Sequence, residues 1–191
     1  GAIVLFCQGM FTAKLMMSQP KIWRYNLIWD KINRPTGFLN ANRAPLKKSE
    51  NILVFYQKPS VYNPQFTYGE PYRKTHTRSG SSPNYGKFER VGTESSDGRR
   101  YPSNVLFVPT VSHTIHPTQK PVELCEYLIQ TYTNEGEVVA DICAGSGTTA
   151  VAALNTGRSF ICFENAPVFY GPAVERIEQA RLAVAGGGKG V

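Results

Sequence analysis

The stretch from Glu137 to Phe163 restricts the fold of this chain more than any other. Glu137 to Ile142 is a β-prone apolar run carrying Asp141 near its end. Gly145-Ser146-Gly147 follows as a tight turn, and Thr148 to Asn155 has the composition of a helix. Gly157 breaks that helix, and Ser159 to Phe163 is a second strand leading into Glu164. Two strands joined through a helix require a crossover, which makes them a parallel pair. A helix from Pro121 to about Thr133 precedes this unit, with the proline at its first position and Leu124, Leu128 and Ile129 on one face. Another runs from Pro167 to about Ala185, with an interruption expected at Gly171-Pro172. This alternation predicts an α/β fold built on a doubly wound, mostly parallel sheet.

Upstream, residues 2–7 read as a fully buried strand, 12–18 as a weak helix ended by Pro20, and 23–29 and 51–57 as further strands. Residues 33–49 are irregular. Residues 58–115 are different in kind: Gly, Pro, Ser, Tyr, Asn, Arg and Lys dominate, and only 104–108 resembles a strand. Stretches this long without elements are uncommon inside a compact domain and usually serve a function. From Lys58 to Arg100 there are eight basic residues against four acidic ones, with Tyr62, Phe66, Tyr68, Tyr72, Tyr85, Phe88 and Tyr101 interleaved. Cations neutralise phosphates and aromatic faces stack on unpaired bases. Arg73, Lys74, Arg78, Lys87 and Arg90 are therefore the candidate contacts to a nucleic acid, which the family resemblance given below makes DNA. A solvated loop with its tyrosines packed on the domain is the competing reading. The organisation expected is 1–57, an insertion at 58–115, a nucleotide-binding half at 116–185 and a flexible tail at 186–191.

Composition closes off several classes. With 41% hydrophobic and 18% charged residues and a net charge of +7, the chain is no disordered polyelectrolyte, collagen or coiled coil. No apolar run approaches the roughly 18 residues that a membrane span needs. Cys7, Cys125, Cys143 and Cys162 sit in apolar stretches without C-x-x-C spacing, so they read as buried reduced thiols and not as metal ligands.

Glycines at 145 and 147 permit a sharp bend and close approach of backbone to a ligand. A carboxylate at the tip of the next strand, Glu164, can accept both hydroxyls of a ribose, which describes an adenosine pocket. A phosphate-binding P-loop is excluded because no Lys follows Gly147. The dinucleotide fingerprint is not excluded, since Ala150 is an accepted substitute for its third glycine. A turn that merely connects two elements is the remaining alternative.

Three signatures occur together: His116-Pro117-Thr118-Gln119-Lys120-Pro121, Asp141 to Thr149 (D-x-x-x-G-S-G-T-T), and Phe163-Glu164. In order and spacing they resemble the N4-cytosine/N6-adenine DNA methyltransferases, in the arrangement where the catalytic half precedes the cofactor half. Gly1 to Phe6, Trp29-Asp30-Lys31, Pro35 to Asn40 and Glu50 to Phe55 extend the likeness over nearly the whole chain. The resemblance implies S-adenosylmethionine as cofactor. Asp141 and the turn Gly145-Ser146-Gly147 would surround its methionine and sugar, Thr148 would assist at the helix start, and Glu164 would bind the ribose hydroxyls. Thr118, Gln119 and Lys120 would lie near the methionine end. It further implies double-stranded DNA as partner, base flipping, and direct methyl transfer to an exocyclic amine, adenine N6 being favoured over cytosine N4. A homodimer and the cytoplasm of a bacterial or phage-infected cell belong to the same picture.

Departures from the family pattern are equally informative. Cys143 stands where the family usually has Phe, and Asn165 where an acid is common. The tetrapeptide [DNS]-P-P-[YFW], which supplies acceptors to the target amine and an aromatic face to the flipped base, is found nowhere in the sequence. No catalytic residue is assigned for that reason. In the family this tetrapeptide lies upstream of the strand at 2–7, so the expectation is a fragment or degenerate member. Its sheet would lack the strand between 137–142 and 2–7. A non-catalytic DNA- or cofactor-binding remnant is the alternative function.

Overall fold

The computed structural model describes residues 1–74, 78–84, 86–90 and 93–187. It divides into two compact units, one formed by Gly1–Asn63 and Asn104–Val191 and the other by Pro64–Ser103. In chain order the elements are β1 (Ile3–Cys7), α1 (Met10–Ser18), β2 (Trp23–Asp30), β3 (Ser49–Phe55), and six short strands. These are β4 (Thr67–Tyr68), β5 (Tyr72–Lys74), β6 (Arg78–Ser82), β7 (Gly86–Arg90), β8 (Thr93–Ser95) and β9 (Arg99–Arg100). β10 (Val105–Phe107), α2 (Val122–Tyr132), β11 (Val138–Asp141), α3 (Thr148–Asn155), β12 (Ser159–Cys162) and α4 (Pro167–Ala185) complete the chain.

The first unit holds a four-stranded sheet ordered β1-β3-β2-β10, in which β3 is antiparallel to both neighbours and β10 runs parallel to β2. β3 is apolar on both sides of its pleat, so its alternating residues serve two cores. Ile52 and Val54, with Leu27 and Trp29, pack under Leu124, Leu128 and Tyr132 of α2. Leu53 and Phe55, with Cys7, are covered by Leu15 and Met16 of α1. The indole N–H of Trp29 donates to the Val108 carbonyl at 2.7 Å, which satisfies the one polar atom that burying this ring would strand. β1 is not the fully buried strand expected. It pairs on one side only, with β3, and Ile3 is exposed.

A second, two-stranded sheet pairs β11 with β12 in parallel, with α3 as the crossover. The far side of α2 closes one of its faces: Cys125 and Ile129 meet Ala152 and Ala153 of α3, with Val139 and Phe160 packed alongside. The opposite face is bare, with Val138 58%, Ile142 81%, Ile161 53% and Phe163 58% exposed. Among the described residues parallel pairing is thus confined to β11–β12 and β2–β10, while residues 1–57 contribute an antiparallel set.

Several local expectations are corrected. Pro121 is the N-cap of α2 (φ −63°, ψ 139°) and not its first residue; its carbonyl accepts from the Cys125 N–H at 3.3 Å. α4 passes through Pro172 without interruption, held by the buried Ala173 and Ala180. Cys7 and Cys125 are buried, but Cys143 is exposed in the loop after β11 and Cys162 is half-buried. Of the expected tail, Gly188–Val191 lie outside the described residues.

Pro64–Ser103 is a nested antiparallel ribbon: β4 pairs with β9, β5 with β8 and β6 with β7. Periodicity missed it because facing pairs such as Arg73–Glu94 and Ser81–Lys87 are polar, so the strands lack hydrophobic alternation.

Candidate functional site

The Gly-Ser-Gly turn lies where β11 ends and α3 begins, the carboxyl edge at which open α/β sheets bind ligands. Gly145 and Gly147 both have positive φ, 53° and 71°. At Gly147 a second constraint applies, since a Cβ there would lie 3.0 Å from Ile177 Cδ1 and 3.4 Å from Ala173 Cβ on α4. Its missing side chain therefore lets α4 close on the turn.

Glu164, two residues past the end of β12, reaches back to this turn. Its Oε2 accepts from the Gly145 N–H at 2.7 Å, and its Oε1 from the Ala166 N–H at 2.8 Å. These backbone donors, Ala166 foremost and then Gly145, hold the carboxyl below the usual carboxylate range. Asp141 is likewise engaged. Its Oδ1 accepts from the Cys143 N–H at 3.0 Å, and its Oδ2 from the Thr149 hydroxyl at 2.6 Å. Two anionic side chains thus frame one glycine bend.

Ser146 and Thr148 are buried, and their hydroxyls are 3.0 Å apart. Both serve Arg176 of α4, whose Nη1 donates to the Ser146 carbonyl at 3.0 Å, to Ser146 Oγ at 3.3 Å and to Thr148 Oγ1 at 2.9 Å. Burial pulls the Arg176 guanidinium below its ordinary value. Sequence reading did not single out Arg176, because nothing in its local pattern distinguishes it from any other helical arginine.

The His-Pro-Thr-Gln-Lys-Pro segment packs against the same bend. The His116 ring lies over Gly145, where a Cβ would come within 3.3 Å of it, and meets the Phe169 ring edge-on at 4.2 Å. His116 Nδ1 accepts from the Thr118 N–H at 3.2 Å, and Thr118 Oγ1 lies 3.1 Å from it. The Gln119 side chain folds inward to accept from the Ile115 N–H at 3.1 Å. The Lys120 carbonyl accepts from Thr148 Oγ1 at 3.3 Å, while its ammonium meets Glu50 at 2.8 Å. All nine residues proposed from sequence for the cofactor thus belong to one connected neighbourhood, to which the structure adds His116, Phe169, Arg176 and Glu50.

The proposed DNA contacts lie in the other unit. Arg73 is exposed beside Glu94 (3.7 Å), and Lys87 is exposed on β7. The side chains of Lys74, Arg78 and Arg90 lie outside the described residues. Part of the basic and aromatic interleaving is spent inside this unit. The Arg99 guanidinium lies 4.7 Å from the Phe66 ring centre and that of Arg100 4.2 Å from Tyr72. Arg100 also donates to the Glu70 and Gly98 carbonyls.

A family model described as DNA methylase, of the N6/N4 type, matches residues 1–175. The DNA adenine methyltransferase YhdJ of Escherichia coli (strain K12) is 26% identical over 167 residues, which cover 85% of this chain and 51% of that protein. Among solved structures, the M1.HpyAVI–SAM complex matches with a TM-score of 0.62 at 25% identity, over 93% of this chain and 74% of the other. The cytosine-N4-specific PvuII DNA methyltransferase matches with a TM-score of 0.61 over 91% and 62%, but at 14% identity, a likeness of fold alone. The chain thus spans about half the length of the YhdJ enzyme. No helix among the described residues is long and apolar enough to cross a membrane. Since the family match takes in both sheets, the Gly-Ser-Gly turn and Glu164, the chain belongs to the N6/N4 DNA methylase family.

Proposed function

We propose that residues 1–191 carry the S-adenosylmethionine site of a DNA amino-methyltransferase, and that Pro64–Ser103 belongs to its DNA-recognition surface. The observation that carries this reading is the 2.7 Å bond between Gly145 and Glu164. It sets a carboxylate from the tip of one parallel strand against the glycine bend at the tip of the next. Each Glu164 oxygen keeps a lone pair beyond the one its backbone donor uses, so the carboxylate retains acceptors for a pair of ribose hydroxyls. Asp141, fixed through both oxygens, holds a second negative charge beside the bend, suited to a cationic or hydroxylated group. The cofactor, when bound, supplies a methyl on sulfonium sulfur for direct transfer to an exocyclic amine.

The acceptor amine is adenine N6 in this reading, and cytosine N4 is the alternative. The relative that aligns over 85% of the chain is named an adenine enzyme. The cytosine-specific likeness rests on fold alone. A homodimer in the cytoplasm of a bacterial or phage-infected cell belongs to the same proposal and rests on the family resemblance.

Isothermal titration with S-adenosylmethionine and with NAD tests the site. Binding of the first and not the second is expected; binding of NAD alone would assign the bend to a nicotinamide dinucleotide. Transfer of a tritiated methyl group to unmethylated DNA then tests activity. Because [DNS]-P-P-[YFW] is missing from residues 1–191, tight cofactor binding without incorporation would select the non-catalytic remnant.

A further inference from the structure

The connection between β2 and β3 carries a combination of side chains that the cofactor reading does not use. Residues 32–48 hold four basic side chains, Arg34, Arg43, Lys47 and Lys48, and no acidic one. Every residue of this stretch is exposed. Lys48 lies 3.7 Å from Asp30, whereas Arg34, Arg43 and Lys47 form no ion pair among the described residues. Between the arginines two large apolar side chains project into solvent, Phe38 at 72% and Leu39 at 82% exposure.

The loop is built by backbone bonds and not by a core. Thr36 and Lys47 form an antiparallel bridge, the Thr36 N–H donating to the Lys47 carbonyl at 2.9 Å and the Lys47 N–H to the Thr36 carbonyl at 2.8 Å. The Lys31 N–H donates to the Lys48 carbonyl at 2.9 Å, so the hairpin continues past the sheet. Beyond the bridge Gly37, at φ 91°, leads into one 3-10 turn over Phe38–Asn40. The Asn40 carbonyl accepts from the Arg43 and Ala44 N–H groups, both at 2.9 Å. At the foot of the hairpin Lys31 and Lys120 share Glu50, each at 2.8 Å, and the Lys120 carbonyl accepts from Thr148 at the glycine bend. The loop therefore rises from the end of the sheet at which the bend lies.

An apolar pair flanked by cations suits a partner that is anionic outside and apolar within. Duplex DNA is such a partner, with phosphates on its rim and stacked bases behind them. Phe and Leu side chains serve as wedges between base steps, and cations beside them neutralise phosphates. An anionic membrane shares part of this chemistry, but the attachment of the loop to the transfer site favours DNA, whose target base must leave its stack there. We propose that the β2–β3 loop is a DNA wedge, in which Phe38 and Leu39 enter a base step while Arg34, Arg43 and Lys47 hold the flanking phosphates. The inference rests on the DNA methyltransferase reading given above, and it adds to the Pro64–Ser103 ribbon a second DNA contact carried by the larger unit.

The full chain is titrated at several salt concentrations with a duplex that carries 2-aminopurine beside a mismatch, where unstacking is easiest. Arg43→Ala and Lys47→Ala should each reduce the slope of log affinity against log salt by about one. Lys21→Ala, an exposed lysine ahead of the amino end of β2, should leave the slope unchanged. The double variant Phe38→Ser, Leu39→Ser should keep the wild-type slope, bind the duplex more weakly and lose the rise in 2-aminopurine fluorescence that marks an opened step. All these positions are exposed, so thermal midpoints and S-adenosylmethionine affinity should match wild type. Slopes unaltered by the loop variants, or lowered as much by Lys21→Ala, would overturn the proposal. So would a fluorescence rise that persists without Phe38 and Leu39. Loss of binding to phosphatidylserine vesicles with DNA binding unaltered would reassign the loop to a membrane and also overturn it. Failure of wild type to bind DNA would remove the DNA reading and the wedge together, whereas DNA binding indifferent to the loop removes the wedge alone.

Discussion

The two sheets of the larger unit are built to different standards of burial. In β1-β3-β2-β10 the central strand β3 is sealed on both faces, by α2 on one and α1 on the other. In β11-β12 one face is sealed and the other presents Val138, Ile142, Ile161 and Phe163 to solvent. The pair nevertheless carries the turn and the carboxylate on which the proposed function rests. One covered face is enough to fix the register of a short parallel pair, because α2 and α3 hold it from the inside. The bare apolar face is the liability of the same arrangement.

The largest effect should come from breaking the better sheet. Leu53→Ala removes a fully buried side chain and should cost about 2–5 kcal/mol in denaturant unfolding. Ile161→Ser, on the bare face, should leave stability within about 0.5 kcal/mol and reduce self-association measured by light scattering. Equal losses at the two positions would mean that this face is covered in solution.

Gly147→Ala sharpens the comparison at the point where the second sheet meets α4. It introduces a Cβ at φ 71° and 3.0 Å from Ile177, and should lower stability by about 1–2 kcal/mol. No change in thermal midpoint would show that the turn and α4 are not tightly apposed.

Glu164→Ala tests the carboxylate directly. Losing a charge-assisted acceptor should weaken S-adenosylmethionine about tenfold, read by titration calorimetry; unchanged affinity would remove Glu164 from the site. The pH dependence has a definite sign. Because the carboxyl is held below its ordinary range in the folded state, its contribution is complete above the unfolded value and is lost as pH falls through the lowered folded one. Adenosine binding should therefore stay level from neutrality down to about pH 5 and decline only in stronger acid. A decline centred near neutrality would show that Glu164 is not the group that governs binding.

The smallest effect belongs to the other unit. Arg73 is exposed and, among the described residues, pairs with an exposed acid, so Arg73→Ala should leave stability within about 0.5 kcal/mol. Its expected mark is a DNA-affinity salt slope reduced by about one. An unaltered slope would favour the solvated-loop reading of this residue.

What the amino-acid order alone determined was local. A run of β-formers, a bend that only glycines adopt, and a helix of about two turns place Asp141, Gly145 and Glu164 along the chain, and helix and strand boundaries there fall within a residue or two of expectation. The bend requires φ angles that other residues avoid, so its position is written in the residue types. Tertiary structure decided everything that depends on partners distant in sequence. β1 is half-exposed because it pairs on one side, Ser146 and Thr148 turn inward because Arg176 waits some thirty residues away, and Lys120 is drawn to Glu50 across seventy positions. The ribbon at 64–103 was illegible for a related reason. Its strands are held by backbone pairing and by arginines on aromatic rings, neither of which leaves an apolar period in the sequence. Periodicity reports which face of an element meets a core, whereas a hydrogen bond or an ion pair is specified only when the fold brings its two halves together.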